Sequence, residues 1–158
     1  MELILWRHAD AGDALDDPDG DFDRRLSERG RRQAARVARW LESRLPERCL
    51  VLCSPAPRAR ETGEALSLKL RIDERLAPGA SGAALLDLAN WPDRDEARTR
   101  HVMIIGHQPT LGEAVSLALC GESQRWTVRK GAVVWLASRG SGDLRSVYLR
   151  AAIGPDLV

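Results

Sequence analysis

Apolar and polar positions along the chain sort into short apolar runs separated by amphipathic stretches. ELILW (2–6), CLVLC (49–53) and HVMIIG (101–106) are short and nearly continuous in apolar character, as strands buried on both faces are. The intervening stretches read as helices. Ser27 can cap a helix whose apolar stripe is Ala34, Val37, Ala38, Leu41 and Leu45, with Pro46 as its stop. Ser54-Pro55 turns into a second helix reaching about Lys69, and a short strand follows at Leu70–Ile72. Ser81 opens a third helix that includes ALLDLANW and ends at Pro92, and Pro109 to Leu119 forms a fourth, closed by Gly121. Two further strands, AVVWLAS (132–138) and LRSVYLR (144–150), flank a turn at Gly140, Ser141 and Gly142, which predicts an antiparallel hairpin.

Strands alternating with helices predict an α/β fold: a three-layer α/β/α sandwich whose central sheet is mostly parallel, with the antiparallel hairpin at the C-terminal end. With 158 residues and neither an internal repeat nor a long linker, the expectation is a single domain over 1–158. Apolar residues make up 44% and charged residues 30%, a globular composition. No apolar run approaches the roughly 20 residues of a membrane span, and no signal peptide is visible, so no membrane partner is expected. A formal net charge of +1 gives no global case for nucleic acid. Cys49, Cys53 and Cys120 are odd in number and lack zinc-finger spacing, which suits reduced thiols in a cytoplasmic protein. The aspartate-rich loop from Asp10 to Asp23 places its glycine out of register for an EF-hand and reads as a solvated loop.

The candidate chemistry lies at strand ends. The first strand runs into Arg7-His8, the second into Ser54-Pro55 with Arg58 just beyond, and the third into Gly106-His107. In open α/β sheets, ligands bind beyond the carboxyl ends of the strands, where helix N-termini also favour anions. Two histidines and two arginines at that edge suit a phosphoryl group. A neutral imidazole is a nucleophile, guanidinium groups clamp phosphate oxygens, and a second histidine can donate to the transition state. The set requires no metal and no cofactor, and three histidines at wide spacing do not make a zinc site. His101, which starts a strand, reads as structural.

These blocks resemble the histidine phosphatase superfamily, which is phosphoglycerate mutase-like in fold, and most closely its short SixA-type phosphohistidine phosphatase branch. LWRHA is similar to the family's Arg-His-Gly signature, with Ala9 in the glycine's place; the resemblance makes His8 the phospho-accepting nucleophile and Arg7 its phosphate-binding neighbour. DFDRRLSERGRRQA resembles the next block and implies that Arg24 faces the pocket. SPAPRARET makes Arg58 the second phosphate clamp, and GHQPTLGE makes His107 the second pocket histidine. In mutase-like relatives a glutamate protonates the leaving oxygen. Glu74 stands at about that place here, and Asp10, close after His8, is another candidate.

The expected activity is hydrolysis of a phosphoryl group through a phosphohistidine enzyme intermediate. The substrate is expected to be phosphohistidine on a protein, because an imidazole departs with little help from an acid. Only 48 residues separate Arg58 from His107, which leaves no room for a large lid and suits a protein-borne group. The alternatives are a phosphatase of small phosphate esters and a non-catalytic phosphate-binding adaptor. Arg29, Arg32, Arg36 and Arg39 fall along one helical face, read as solvated, with binding to an acidic partner as its alternative.

Overall fold

The computed structural model describes residues 1–46, 48–92, 101–140 and 146–158. Its six strands are β1 (Glu2–Arg7), β2 (Leu50–Cys53), β3 (Leu70–Ile72), β4 (His101–Gly106), β5 (Val133–Arg139) and β6 (Ser146–Ile153). They form one sheet in the order β3-β2-β4-β1-β5-β6. The first four positions are joined by parallel pairing, whereas β1–β5 and β5–β6 are antiparallel. The mostly parallel sheet with an antiparallel C-terminal pair is therefore present. Of the expected hairpin turn, Ser141 and Gly142 lie outside the described residues, as does the start of the strand expected from Leu144.

Among the described residues, five helices complete the layers: α1 (Pro18–Phe22), α2 (Glu28–Glu42), α3 (Pro57–Gly63), α4 (Gly82–Leu88) and α5 (Thr110–Cys120). On one face of the sheet, Ala34, Val37, Ala38 and Leu41 of α2 and Ala59 of α3 pack on Ile4, Trp6, Val51, Met103 and Ile105. On the other, Leu85 of α4 and Leu111, Ala114 and Val115 of α5 pack on Leu3, Leu5, Val102 and Ile104. Alternate residues of β1 and β4 thus feed opposite cores, as the two-residue period of a strand requires. This two-sided burial explains why those strands read as continuous apolar runs.

Several boundaries differ from expectation, each for a local reason. Helix α2 is capped at Ser27, whose side chain accepts from the Gly30 N–H, but it ends at Glu42 with Ser43 as its cap, ahead of Pro46. Helix α3 ends at Gly63 and does not continue to Lys69. A Cβ at Gly63 would come within 2.7 Å of Ile105 and 2.9 Å of Leu70, so the end of α3 lies close against β4 and β3. Inside the polar loop lies the short helix α1, capped by Asp17, which no apolar stripe announces. Helix α4 stops at Leu88, short of Pro92, while α5 ends at Gly121 in the left-handed conformation that glycine tolerates. Cys49 and Cys53 are free thiols, pushed up by burial to about 11 and about 12, which leaves them protonated and unreactive. Among the described residues no helix is long and apolar enough to cross a membrane.

Candidate active site

The sheet order places β2, β4 and β1 side by side, so their carboxyl ends adjoin. The ladder continues one step beyond the strands: the His8 N–H donates to the Gly106 carbonyl, and the Ser54 N–H donates to the Ile105 carbonyl, both at 3.0 Å. His8, Ser54 and His107 therefore leave three adjacent strands at one point. The His8 and His107 rings stand 5.2 Å apart, centroid to centroid, tilted by 49°. Both histidines and Arg58 are buried.

His8 is held by its own neighbour. Its Nδ1 lies 2.8 Å from the Ala9 carbonyl. A carbonyl can only accept, so Nδ1 carries the proton and Nε2 keeps its lone pair. Burial is the main influence on this ring, lowering its pKa to about 4; the bond to Ala9 opposes that, and the charges of Arg58, Arg7 and Arg24 add to it. At neutral pH His8 is an uncharged imidazole with Nε2 available for attack.

His107 is lowered further, to about 3, by burial first and then by His8, Arg58 and Arg7. Its Nε2 is 2.7 Å from Ser54 Oγ. The Ser54 oxygen also accepts from the Ala56 N–H at 3.3 Å, which fixes the hydroxyl against the ring. The His107 Nδ1 is buried without a partner, as are Nε of Arg7 and Nε of Arg58. Two orphaned guanidinium donors beside an unpartnered imidazole nitrogen fit an oxyanion.

The arginines are anchored by main-chain oxygens. Arg7 Nη1 donates to the Val128 carbonyl at 2.8 Å. Arg58 Nη1 donates to the carbonyls of Asp21 and Phe22 at 2.7 and 3.1 Å, and its Nη2 lies 3.4 Å from the Asp21 carboxylate. Arg24 donates through Nε to the same carboxylate at 2.9 Å and through Nη1 to the Ala11 carbonyl at 3.0 Å. The Asp21 carboxyl is held below the usual carboxylate range, first by the Leu15 N–H and then by Arg24. Asp21 was not singled out from the sequence, since it lies within the aspartate-rich loop. Thr62 was not singled out either. Its hydroxyl accepts from the Ala9 N–H at 3.0 Å and donates to the Arg58 carbonyl at 2.7 Å.

Arg7, His8, Arg58 and His107 are thus brought together, with Arg24 joined to them through Asp21. The two candidate acids are not placed alike. Asp10 accepts from the Ser27 hydroxyl at 2.6 Å and from Lys130 at 3.2 Å, and these donors, Ser27 foremost, lower its pKa and keep it ionised. Glu74 is exposed and starts a 3₁₀ turn beyond β3, the outermost strand of the parallel half of the sheet. Its side chain forms no hydrogen bond or ion pair with the four. Among the described residues no group of three or more His, Cys, Asp or Glu side chains converges as a metal site would require.

The chain is similar in sequence and in fold to known proteins. The model of the histidine phosphatase superfamily, branch 1, matches residues 3–84. A protein of Picosynechococcus sp. is 32% identical over 145 residues, covering 87% of this chain and 86% of that one. The structure of a protein from Nakamurella multipartitia assigned as a phosphohistidine phosphatase SixA superposes with a TM-score of 0.73 at 28% identity, covering 98% and 95% of the two chains. The protein histidine phosphatase SixA in complex with tungstate gives a TM-score of 0.75 at 23% identity over 99% and 98%. A mycobacterial glucosyl-3-phosphoglycerate phosphatase gives 0.66 at 22% identity over 95% and 97%. The four blocks seen in the sequence, the sheet that gathers them and these matches agree: the chain belongs to the histidine phosphatase superfamily, in its short SixA-like branch.

Proposed function

We propose that this histidine-phosphatase-type hydrolase removes phosphoryl groups from phosphohistidine on a protein, acting in the cytoplasm, the compartment that suits its free thiols. The observation that carries the reading is the His8 Nδ1 bond to the Ala9 carbonyl, which leaves a neutral Nε2 near the unpaired Nε donors of Arg7 and Arg58 and the unpaired Nδ1 of His107.

The phosphoryl group docks against those donors. His8 Nε2 attacks phosphorus in line and forms a new N–P bond as the bond to the leaving group breaks. The substrate's imidazole, carrying a proton on its other ring nitrogen, takes the electron pair of the broken bond and departs as the neutral base. Water then attacks the phosphorus on His8, inorganic phosphate leaves, and the electron pair returns to Nε2. The same arginines offset charge in both steps.

Leaving-group chemistry favours the N–P bond over a sugar phosphate. An alkoxide needs a proton donor, but Asp10 is held ionised and Glu74 stands exposed beyond β3. An imidazole, with a pKa near 6.5, leaves without strong acid assistance. The small-ester reading is supported by the similarity in fold to a phosphatase of glucosyl-3-phosphoglycerate.

The test compares a histidine-phosphorylated protein with sugar and nucleotide phosphates. A higher kcat/KM for the phosphohistidine protein is expected. Preference for a small ester would move the assignment to ester hydrolysis, and phosphate binding without any turnover would make the protein an adaptor.

A further inference from the structure

Beside the His8 cage runs an open groove of about 630 Å³. Arg29, Arg32 and Arg36 of α2 line it, as do Arg129 and Lys130 from the segment before β5, and Arg7. Arg7 therefore belongs to both the cage and the groove, and the two adjoin at it. Six cations line the groove against two carboxylates, Asp10 and Asp156.

Those carboxylates do not neutralise it. Asp10 is shared between Ser27 and Lys130. Asp156 lies 3.9 Å from Arg129, with both side chains largely exposed. Arg32 reaches only exposed Glu28, at 3.7 Å. Arg36 donates to the main-chain oxygen of Val158, and Arg29 has no ion pair among the described residues. Unlike these three, Arg39 lies outside the groove.

We propose that this groove seats an acidic segment of the phosphorylated protein, flanking the phosphohistidine whose phosphoryl group enters the cage. The inference rests on the protein-substrate reading given above and adds the chemistry of the substrate's flank. Positions 29, 32 and 36 share one helical face and span about 10 Å at about 1.5 Å per residue. That row is longer than a single phosphate and matches carboxylates spaced along a peptide. Nucleic acid is the poorer fit, because no aromatic side chain lines the groove to stack a base and the chain's net charge is only +1.

The test uses the full chain and the double variant Arg29→Glu/Arg32→Glu, with Arg29→Gln/Arg32→Gln as a milder pair in case charge reversal impairs folding. The substrates are free phosphohistidine, a phosphohistidine peptide flanked by glutamates, and the same peptide flanked by glutamines. Wild type should favour the glutamate peptide by about tenfold in kcat/KM at low ionic strength. That preference should vanish in the variants, and in wild type as salt rises from about 50 to about 300 mM. Free phosphohistidine, which reaches only the cage, should be turned over within about twofold of wild type in the variants.

Equal turnover of the two peptides, or a preference that survives in the variants, would overturn the proposal. Binding of an unphosphorylated, fluorescently labelled glutamate-rich peptide is measured in parallel. If no phosphohistidine substrate turns over, the protein-substrate reading fails, and the groove is judged by this binding alone. Salt-sensitive binding that is lost in the variants would support it. Absent binding, or tighter binding of an oligo-dT strand, would overturn it.

Discussion

Thr62 and Ala9 are joined across 53 positions by one hydroxyl, which accepts from the Ala9 N–H and donates to the Arg58 carbonyl. Both bonds are buried. The residue that holds the nucleophile is thereby tied to the helix that carries the phosphate clamp. Thr62→Val keeps the shape and removes both bonds, leaving the buried Ala9 N–H without a partner. The expected cost is about 2 kcal/mol, read as a fall of about 4–8 °C in Tm for a domain of this size. Because Ala9 also orients His8, kcat should fall along with stability. An unchanged Tm and rate would remove Thr62 from the site's framework.

His8→Ala should abolish turnover, whereas His101→Ala, at the start of β4, should leave it nearly intact. During turnover the wild type should trap an acid-labile, alkali-stable radiolabel, the signature of phosphohistidine. The label should be absent from the His8 variant. Its persistence there would assign the nucleophile to another residue, with His107, 5.2 Å away, the first to examine.

Arg58 tests the oxyanion cage. Its Nη1 is occupied by the Asp21 and Phe22 carbonyls and its Nε is free. Arg58→Ala should lower kcat/KM by about 10²–10³, the usual effect of losing a preorganised donor. Arg58→Lys should recover little, since an ammonium cannot reproduce the planar fork that spans α1 and the anion. Circular dichroism should show both variants folded, and normal activity in either would place the anion elsewhere.

Much of this site was legible because its parts sit at strand ends. Three apolar runs ending in Arg7-His8, Ser54-Pro55 and Gly106-His107 needed only adjacent strands to converge, and the order β2-β4-β1 supplies that. Asp21 was not legible. Helix α1 is five residues of PDGDF without an apolar stripe, so nothing periodic announced it. Its one local signal was Asp17 before Pro18, a cap followed by proline in the first turn. The groove was half legible: the α2 arginines share a face in sequence, but only the packing of the segment before β5 brings Arg129 and Lys130 opposite them. No pattern within α2 encodes that neighbour.

The depressed histidines predict a definite pH response. A histidine in the unfolded chain titrates near 6.5, but His8 in the fold titrates near about 4 and His107 near about 3. Below pH 6.5 the unfolded state binds protons that the folded state refuses, so acidification lowers stability until the folded pKa values are reached. Tm should therefore decline from pH 6.5 toward 4 as these rings contribute. Nitrogen-15 spectra should show the Nδ1–H tautomer for His8 and no titration above about pH 5. Adding inorganic phosphate should raise both midpoints, because an anion in the cage favours the charged rings. A midpoint near 6.5 for His8 would show that it is not buried beside the arginines.

Gly30 links helix α2 to the nucleophile's loop through close approach. A Cβ there would lie 1.9 Å from the Asp10 carbonyl oxygen, a main-chain atom that cannot swing aside. That same carbonyl accepts from the Ser27 N–H at 3.0 Å, so moving it also disturbs the helix cap. Gly→Ala inside a helix ordinarily stabilises by about 0.5–1 kcal/mol, and here the clash should reverse the sign. Gly30→Ala is expected to destabilise by about 1–3 kcal/mol as the backbone shifts to make room. Asp10 is only two residues from His8, so the His8 ring resonances and kcat should change together. A variant as stable and active as wild type would show that the contact between α2 and the loop is loose, and that the position of His8 depends on Ala9 and Thr62 alone.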